Sequence, residues 1–320
     1  MKAVHRGIAL LGCLIGLVPL GFAQSAVVAS SSAVASSKSA SSKVECSTLE
    51  SRILGRPVPY CVMLPPSYAL EQTRHYPVAY YLHGLGDNEQ SLVNLGGWPI
   101  YDRLMREKKI GEFALISPAG FASFYINSRD GKFRYEDFFL EEFLPAMEKK
   151  YRIGTTRSQR GIMGVSMGGF GALHYGFKYP EKFAAVSANM PALIEHLPPE
   201  LSQDWQRRLM GTIFGNPPDM AFYEKNSAFQ LVRKDSSAAL KRMNIYFDCG
   251  AHDRFGFNEG SEAMDKLLTE RGVIHEAHIY PGGHDWAFVL EHLAASLEAQ
   301  SKGLGAKYDA TTYSAKQDAK

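Results

Sequence analysis

Short runs of apolar residues alternate with amphipathic segments along most of the chain. The runs 77–82 and 113–116 are continuously apolar, which is typical of strands buried on both faces of a sheet. Strands that alternate with helices predict an α/β fold, here a mostly parallel central sheet with helices on both faces and an N-terminal antiparallel hairpin. The predicted hairpin is 51–64, the other strands are 77–82, 113–116, 159–165, 183–188, 243–249 and 275–280, and the helices are 135–150, the segment after residue 166, 258–271 and 286–299.

Two segments depart from this alternation. Segment 135–150 has apolar residues at helical spacing, but Pro145 lies inside it and is expected to kink or split the helix.

The interval between Ala188 and Met243 is longer than one crossover helix. It is interpreted either as an insertion over the carboxyl edge of the sheet, forming part of a substrate pocket, or as an extended ordinary connection. Its aromatic residues include Trp205, Phe214, Phe222 and Tyr223.

The N-terminus has the composition of an export signal. Lys2 and Arg6 precede an apolar stretch too short to span a bilayer, and small residues predict cleavage after Ala23. An alternative is a lipoprotein signal acylated at Cys13, because the residues before it partly resemble a lipobox. The predicted organisation is a signal peptide at 1–23, a flexible Ser/Ala-rich linker at 24–43, one folded domain at 44–302 and a disordered tail at 303–320.

Charge excludes some partners. The 320 residues carry a net charge of +2, and removing residues 1–23 leaves 33 basic and 33 acidic residues. Without a basic excess we expect no binding to nucleic acid and, after signal cleavage, none to membranes. The protein is expected to be secreted or periplasmic, as a monomer or dimer.

Cysteine usage agrees with export, which permits disulfides. Cys46 and Cys61 lie on adjacent strand-like runs separated by the turn signal at 55–57, and we predict that they pair. Cys249 is expected to be a buried free thiol. The alternative for all three residues is simple burial as small apolar side chains.

Candidate chemistry begins at residues 164–168, which form a Gly-x-Ser-x-Gly pentapeptide. An apolar run precedes it and a small-residue helical segment follows it, which is the strand, sharp turn and helix context of a nucleophilic serine. The flanking positions must be small because the turn is strained. Ser166 is therefore the candidate nucleophile.

A serine hydroxyl needs a base, and the base needs an orienting carboxylate. Downstream of Ser166, Asp253 lies in a glycine-containing loop after a predicted strand, and His284 lies in a turn before a predicted helix. Asp248, at the strand end, is the alternative acid. We expect His174 to pack within its helix and His252 to be a loop residue.

The sequence also offers oxyanion donors. Residues 82–86 follow a buried strand and are small enough for backbone amides to face a substrate carbonyl. We predict the amides of Leu85 and Met167 as the oxyanion pair. The alternative for His83 and Gly84 is a plain strand-terminating turn.

Together these motifs resemble the esterase family of α/β-hydrolases that includes esterase D (S-formylglutathione hydrolases), tributyrin-type esterases, feruloyl esterases and antigen 85 mycolyltransferases. The matching segments are 83–86, 164–173, 248–253 and 281–286, and the resemblance covers nearly all of 45–300. It implies the α/β-hydrolase fold, with Ser166 as nucleophile, Asp253 as acid and His284 as base. Such chemistry needs no metal or organic cofactor.

The expected function is a serine carboxylesterase acting on short-chain or aromatic esters, either small molecules or polysaccharide-linked, through an acyl-enzyme. Alternatives are an acyltransferase of the antigen 85 type, an S-formylglutathione hydrolase-like thioesterase, or a non-catalytic binding protein on the same fold. Val165 stands where S-formylglutathione hydrolases typically have histidine, which argues against glutathione thioesters. We expect loops 118–134 and 190–240 to shape the pocket. A carbohydrate-binding role is considered for Trp98, Tyr101 and Trp286, with packing in the core as the alternative.

Overall fold

The computed structural model describes residues 42–196, 210–211, 213–234 and 238–308. The strands are β1 (Lys43–Ser51), β2 (Arg56–Leu64), β3 (Val78–Leu82), β4 (Ala114–Pro118), β5 (Arg160–Val165), β6 (Ala185–Asn189), β7 (Asn244–Gly250) and β8 (Glu276–Tyr280). They form an eight-stranded sheet in the order β1-β2-β4-β3-β5-β6-β7-β8. Pairing is antiparallel for β1 with β2 and for β2 with β4, and parallel elsewhere. The predicted α/β architecture is confirmed.

Helices cover both faces of the sheet. The α-helices whose bounds are defined within the described residues are α1 (Ser91–Asn94), α2 (Gly97–Arg106), α3 (Tyr135–Asp137), α4 (Leu144–Lys150), α5 (Met167–Lys178), α6 (Met220–Asn226), α7 (Ala228–Lys234), α8 (Ala238–Lys241), α9 (Phe257–Glu270) and α10 (Trp286–Gly303). Helices α5 and α9 contribute to the core on one face, and α2 and α10 to the core on the other. Along β3, Tyr80 lies in the first core and Tyr81 in the second, which is why this strand is apolar at every position.

The N-terminal hairpin is longer than predicted. Its first strand begins at Lys43 rather than near Ser51. The sequence did not predict residues 43–50 as a strand, because this edge strand is largely exposed and carries no continuous apolar pattern. Cys46 lies directly opposite Cys61 in the register, and the two form a disulfide. Cys249 is a buried free thiol. Both cysteine predictions are confirmed.

The predicted helix 135–150 is split, as Pro145 suggested. After α3, residues Phe138–Phe143 form a π-helical segment, and α4 then begins at Leu144. Pro145 therefore falls in the first turn of a new helix, where its missing N–H leaves no intrahelical bond unmade.

The chain remains folded past the predicted domain boundary at 302. Helix α10 runs to Gly303, and Leu304 behind it is buried. The Lys307 carbonyl accepts hydrogen bonds from the Glu112 amide at 3.1 Å and from Arg74 at 3.2 Å. The first residues of the predicted tail thus pack on the domain, whereas 309–320 lie outside the described residues, as do the predicted signal peptide 1–23 and the linker up to residue 41.

Where it is described, the long interval before β7 contains α6, α7 and α8 together with non-helical stretches such as 190–196 and 215–219. Phe214 and Tyr223 are buried, and α7 packs against α5 and α9. Trp205 lies outside the described residues. Among the helices that the structure describes, none combines the length and the apolar character needed to cross a membrane.

Candidate active site

Ser166 lies in the sharp turn between β5 and α5. Its backbone has φ 56° and ψ −114°, a conformation that non-glycine residues rarely adopt. A Cβ added at Gly164 would lie 2.3 Å from the Gly168 carbonyl oxygen, and one at Gly168 would lie 1.9 Å from that of Leu82. The two glycines are therefore required by close backbone approach, which keeps the turn tight and the serine exposed to the cavity.

The loops after β7 and β8 bring two further side chains to this turn. Nε2 of His284 lies 2.9 Å from Oγ of Ser166, and its Nδ1 lies 2.7 Å from Oδ2 of Asp253. Because a carboxylate only accepts, Nδ1 carries the proton and Nε2 is free to accept from the hydroxyl. Burial would raise the pKa of Asp253. The pKa is nevertheless held below its ordinary value by the hydrogen bond and charge of His284 and by the hydrogen bond from the Phe255 amide.

The alternative acid, Asp248, is occupied elsewhere. Its Oδ2 accepts hydrogen bonds from Asn189 and from the Tyr246 hydroxyl, each at 2.8 Å. The side chain is fully buried, and burial raises its pKa to about 7. The structure thus places Asp253, and not Asp248, against His284. His174 packs in the core, where it is fully buried, as expected.

The predicted oxyanion amides flank Ser166. Met167 is the first residue of α5, and Leu85 lines the same cavity as Ser166. Among the described residues, neither amide donates a hydrogen bond within the protein. Both amides are therefore available to a ligand. That of Met167 lies at the positive end of α5, and that of Leu85 lies in a neighbouring turn.

His83 fixes the peptide that carries one of these amides. Its Nε2 accepts from the Gly120 amide at 2.7 Å, so the proton is on Nδ1, which donates to the Gly84 carbonyl at 2.8 Å. Burial lowers the pKa of His83 and keeps the ring neutral. In a planar trans peptide the C=O and the next N–H point in opposite directions, so the Leu85 N–H points away from the His83 ring.

Two lobes of one cavity meet at Ser166 and His284. The larger has a volume of about 320 Å³ and is called the larger lobe, and the other has a volume of about 150 Å³ and is called the smaller lobe. Both also include Leu85 and Arg254. The larger lobe is further lined by Gly84, Asp87, Val165, Met190, Asp285, Trp286 and Val289, and the smaller lobe by Phe124, Met167, Ala192, Phe255 and Phe257.

Several residues that line the cavity carry no motif in the sequence. Phe255 and Phe257 pack edge-on against His284, with ring centroids 4.9 and 5.5 Å away. Their only sequence signal is their position just after Asp253. Phe124 lies in loop 118–134, which was expected to shape the pocket, but no local motif marks this residue or Asp87.

The three aromatic residues considered for carbohydrate binding are placed differently. Tyr101 is fully buried, and its hydroxyl donates to the Phe113 carbonyl. Trp98 packs partly buried against the same core. Trp286 alone of the three lines the cavity.

Comparison with known proteins gives a consistent picture. The model of the family described as Putative esterase matches residues 51–299. The chain is 27% identical over 236 residues to an acetyl esterase of Caldicellulosiruptor saccharolyticus, covering 70% of this chain and 82% of the relative. It is 25% identical over 274 residues to an S-formylglutathione hydrolase of Paracoccus denitrificans, covering 80% and 92%. A solved ferulic acid esterase superimposes with a TM-score of 0.73 at 29% identity, covering 83% of this chain and 99% of that one.

Proposed function

The chain belongs to the Putative esterase family of carboxylic ester hydrolases, and from that premise we propose that it is an exported serine carboxylesterase for short-chain or aromatic acyl esters. The proposed nucleophile is Ser166, the base is His284 and the orienting acid is Asp253. The proposed oxyanion donors are the amides of Leu85 and Met167. No metal or organic cofactor takes part in this scheme.

The proposed reaction has two steps. His284 Nε2 removes the Ser166 proton as Oγ attacks the ester carbonyl, and the two amides stabilise the tetrahedral oxyanion. His284 then protonates the leaving alcohol, and a water activated by the same imidazole cleaves the acyl-enzyme. Asp253 holds the proton of His284 on Nδ1 and stabilises the imidazolium.

One observation carries this proposal. Ser166, His284 and Asp253 form a continuous chain with contacts of 2.9 and 2.7 Å, and the serine lies in a strained turn that lines a cavity. A hydroxyl within hydrogen-bond reach of a base that is itself oriented by a carboxylate is the arrangement that activates serine.

The acyl preference is supported by the similar proteins. The similar proteins include an acetyl esterase and a ferulic acid esterase, whose acyl groups are respectively short and aromatic. Export is supported by the composition of residues 1–23 and by the Cys46–Cys61 disulfide, a bond that persists in oxidising compartments.

The test is a substrate panel. Release of p-nitrophenol from acetyl, butyryl and octanoyl esters is measured beside hydrolysis of methyl ferulate. Ser166→Ala should lose activity by about a thousandfold or more, while Ser158→Ala, at an exposed serine, should retain it. A folded wild-type protein that is inert on every ester would overturn the proposal.

Product analysis separates hydrolysis from the alternatives. With sugar or alcohol acceptors present, an esterase yields mainly the free acid, whereas an acyltransferase yields the new ester. Hydrolysis of S-formylglutathione faster than of every oxygen ester would instead favour the thioesterase alternative.

A further inference from the structure

The guanidinium of Arg254 is the one cationic group, apart from the imidazole of His284, among the described residues that line the two lobes. Arg254 lines both lobes. The described residues around the smaller lobe include no carboxylate, and three of them are phenylalanines. A substrate whose carbonyl lies at Ser166 therefore meets a wall that carries a permanent positive charge.

The loop after β7 fixes where this side chain begins. The Asp253 amide donates to the Gly250 carbonyl at 3.0 Å, and the Phe255 amide donates to Oδ1 of Asp253 at 2.8 Å. Arg254 lies between these two anchored residues and is itself exposed. The backbone on both sides is thus held by hydrogen bonds, while the side chain borders the cavity.

Phe255 holds the guanidinium close to the reacting groups. Cζ of Arg254 lies 4.9 Å from the centroid of the Phe255 ring. The same ring packs edge-on against His284 with a centroid separation of 4.9 Å. The guanidinium carbon therefore lies within about 10 Å of the imidazole centroid. This distance is short enough for one small substrate to contact both groups.

The charge has no anionic partner in the part of the chain that the structure describes. Within that part, the guanidinium of Arg254 makes neither an ion pair nor a hydrogen bond. Its contact with the Phe255 face leaves five N–H donors without an oxygen acceptor. These donors form a planar fork that matches a carboxylate in a bidentate pair.

The two carboxylates that line the larger lobe are engaged with other groups. Asp87 hydrogen-bonds with the side chains of Trp286 and Ser91. Asp285 caps the first turn of α10. An anionic group of a substrate would face these like charges in the larger lobe, whereas on the side of the smaller lobe it would face Arg254.

We propose that Arg254 binds a carboxylate carried by the substrate, on the side of the smaller lobe, so that the preferred esters bear a carboxylate on their acyl or alcohol part in addition to the scissile ester. The inference rests on the proposed function. It adds the charge of the substrate and the residue that selects it. Arg254 makes and breaks no covalent bond and acts on binding.

The test compares matched esters that differ in charge. Mono-p-nitrophenyl adipate and p-nitrophenyl methyl adipate vary the charge on the acyl part. 4-Acetoxybenzoate and methyl 4-acetoxybenzoate vary it on the alcohol part. For each pair, the charge preference is the ratio of kcat/KM for the carboxylate to kcat/KM for its methyl ester. Comparing this ratio between variants cancels the intrinsic reactivity of the two esters.

Arg254→Gln should lower the charge preference by about tenfold in at least one pair, the effect of one charge-assisted hydrogen bond at a partly solvated site. Arg254→Lys keeps the charge but loses the planar fork, so it should retain part of the preference. The matched control is Arg52→Gln, which removes the same charge from a side chain that is 94% exposed and lies outside both lobes. It should leave the charge preference unchanged.

Ionic strength gives a second readout that needs no variant. Raising it from about 0.1 to about 1 M shortens the screening length from about 10 to about 3 Å. The wild-type charge preference should fall over this interval, and that of Arg254→Gln should change less. A merely structural role of Arg254 would alter both esters of a pair alike and leave the ratio fixed.

The outcomes separate the two levels of the inference. A folded wild type that is inert on all four esters and on p-nitrophenyl acetate refutes the proposed function itself. An active wild type whose charge preference is the same in Arg254→Gln, in both pairs, refutes the carboxylate site and leaves the proposed function standing. A loss in the adipate pair alone places the carboxylate on the acyl part, and a loss in the acetoxybenzoate pair alone places it on the alcohol part.

Discussion

The thiol of Cys249 lies 3.4 Å from Oδ2 of Asp253, the same carboxylate oxygen that accepts the hydrogen bond from His284. The thiol is buried, and burial raises its pKa, so it stays protonated and donates. Cys249, near the end of β7, is therefore a second donor to the carboxylate oxygen that orients the imidazole.

This contact predicts a measurable effect on turnover. Cys249→Ala should lower kcat by about fivefold with little change in KM, because a single weak donor contributes about 1 kcal/mol. Cys249→Ser keeps a donor and should recover most of the loss. Equal kcat values for wild type and Cys249→Ala would show that the thiol has no such role.

Replacing His83 should lower kcat more than replacing Cys249, because His83 fixes the peptide that carries the Leu85 amide. His83→Ala releases the Gly84 carbonyl, so the Leu85 N–H loses its fixed direction and kcat should fall by about a hundredfold while KM changes little. The matched control is His174→Ala, which removes another fully buried histidine whose ring bonds the Asn226 carbonyl. That variant should lose stability but keep kcat, and a similar loss of kcat in both variants would contradict the positioning role.

The raised pKa of Asp248 should make the free energy of unfolding depend on pH. In the folded protein it keeps its proton up to about pH 7, whereas its ordinary pKa is 3.8, so the folded state binds more protons in between. The contribution of Asp248 to the free energy of unfolding is fully present below pH 3.8. It is lost as the pH rises through 7, at up to about 1.4 kcal/mol per pH unit.

The measurement is urea unfolding of wild type and Asp248→Asn at pH 5 and pH 8. The wild type should lose more free energy of unfolding than the variant over this interval. Glu262→Gln, at an exposed position, should behave as wild type. An identical pH dependence for wild type and Asp248→Asn would show that Asp248 titrates normally.

The Cys46–Cys61 disulfide predicts a stability effect separate from catalysis. It closes a loop with a sequence separation of 15 at the sheet edge formed by β1. Replacing both cysteines by alanine should lower the free energy of unfolding by about 3 kcal/mol, because the unfolded chain regains freedom. Reductant should destabilise the wild type and leave the double variant unaffected. Esterase activity at 25 °C should survive in both, because the bond is remote from Ser166.

Much of the fold and the candidate site could be predicted because their signals are local. The strand before Ser166, the glycines around it and the helix after it occupy one continuous stretch. The carboxylate after β7 and the histidine after β8 each sit in a recognisable loop, and parallel strands bring those loops to one edge. The placement of Asp253 rather than Asp248 against His284 followed from the same logic, since a residue on the strand itself is committed to neighbouring strands.

What sequence could not supply depends on contacts between distant segments. Phe124 has a positive φ of 51° in a loop where Tyr125 hydrogen-bonds to His83 and Tyr175, and no local sequence signal marks this conformation. The strand beginning at Lys43 has too little burial to show a pattern. Leu304 is a single apolar residue between two glycines in a polar stretch, so its burial against the domain has no local pattern to mark it.

Covalent labelling directly tests whether Ser166 is a nucleophile activated by His284. The protein is treated with diethyl p-nitrophenyl phosphate, and the modified peptide is mapped by mass spectrometry. We expect one diethylphosphoryl group on Ser166 in the wild type, none in Ser166→Ala, and labelling slowed by about a thousandfold in His284→Ala. An adduct on another residue, or an esterase that is active yet unlabelled at Ser166, would contradict it.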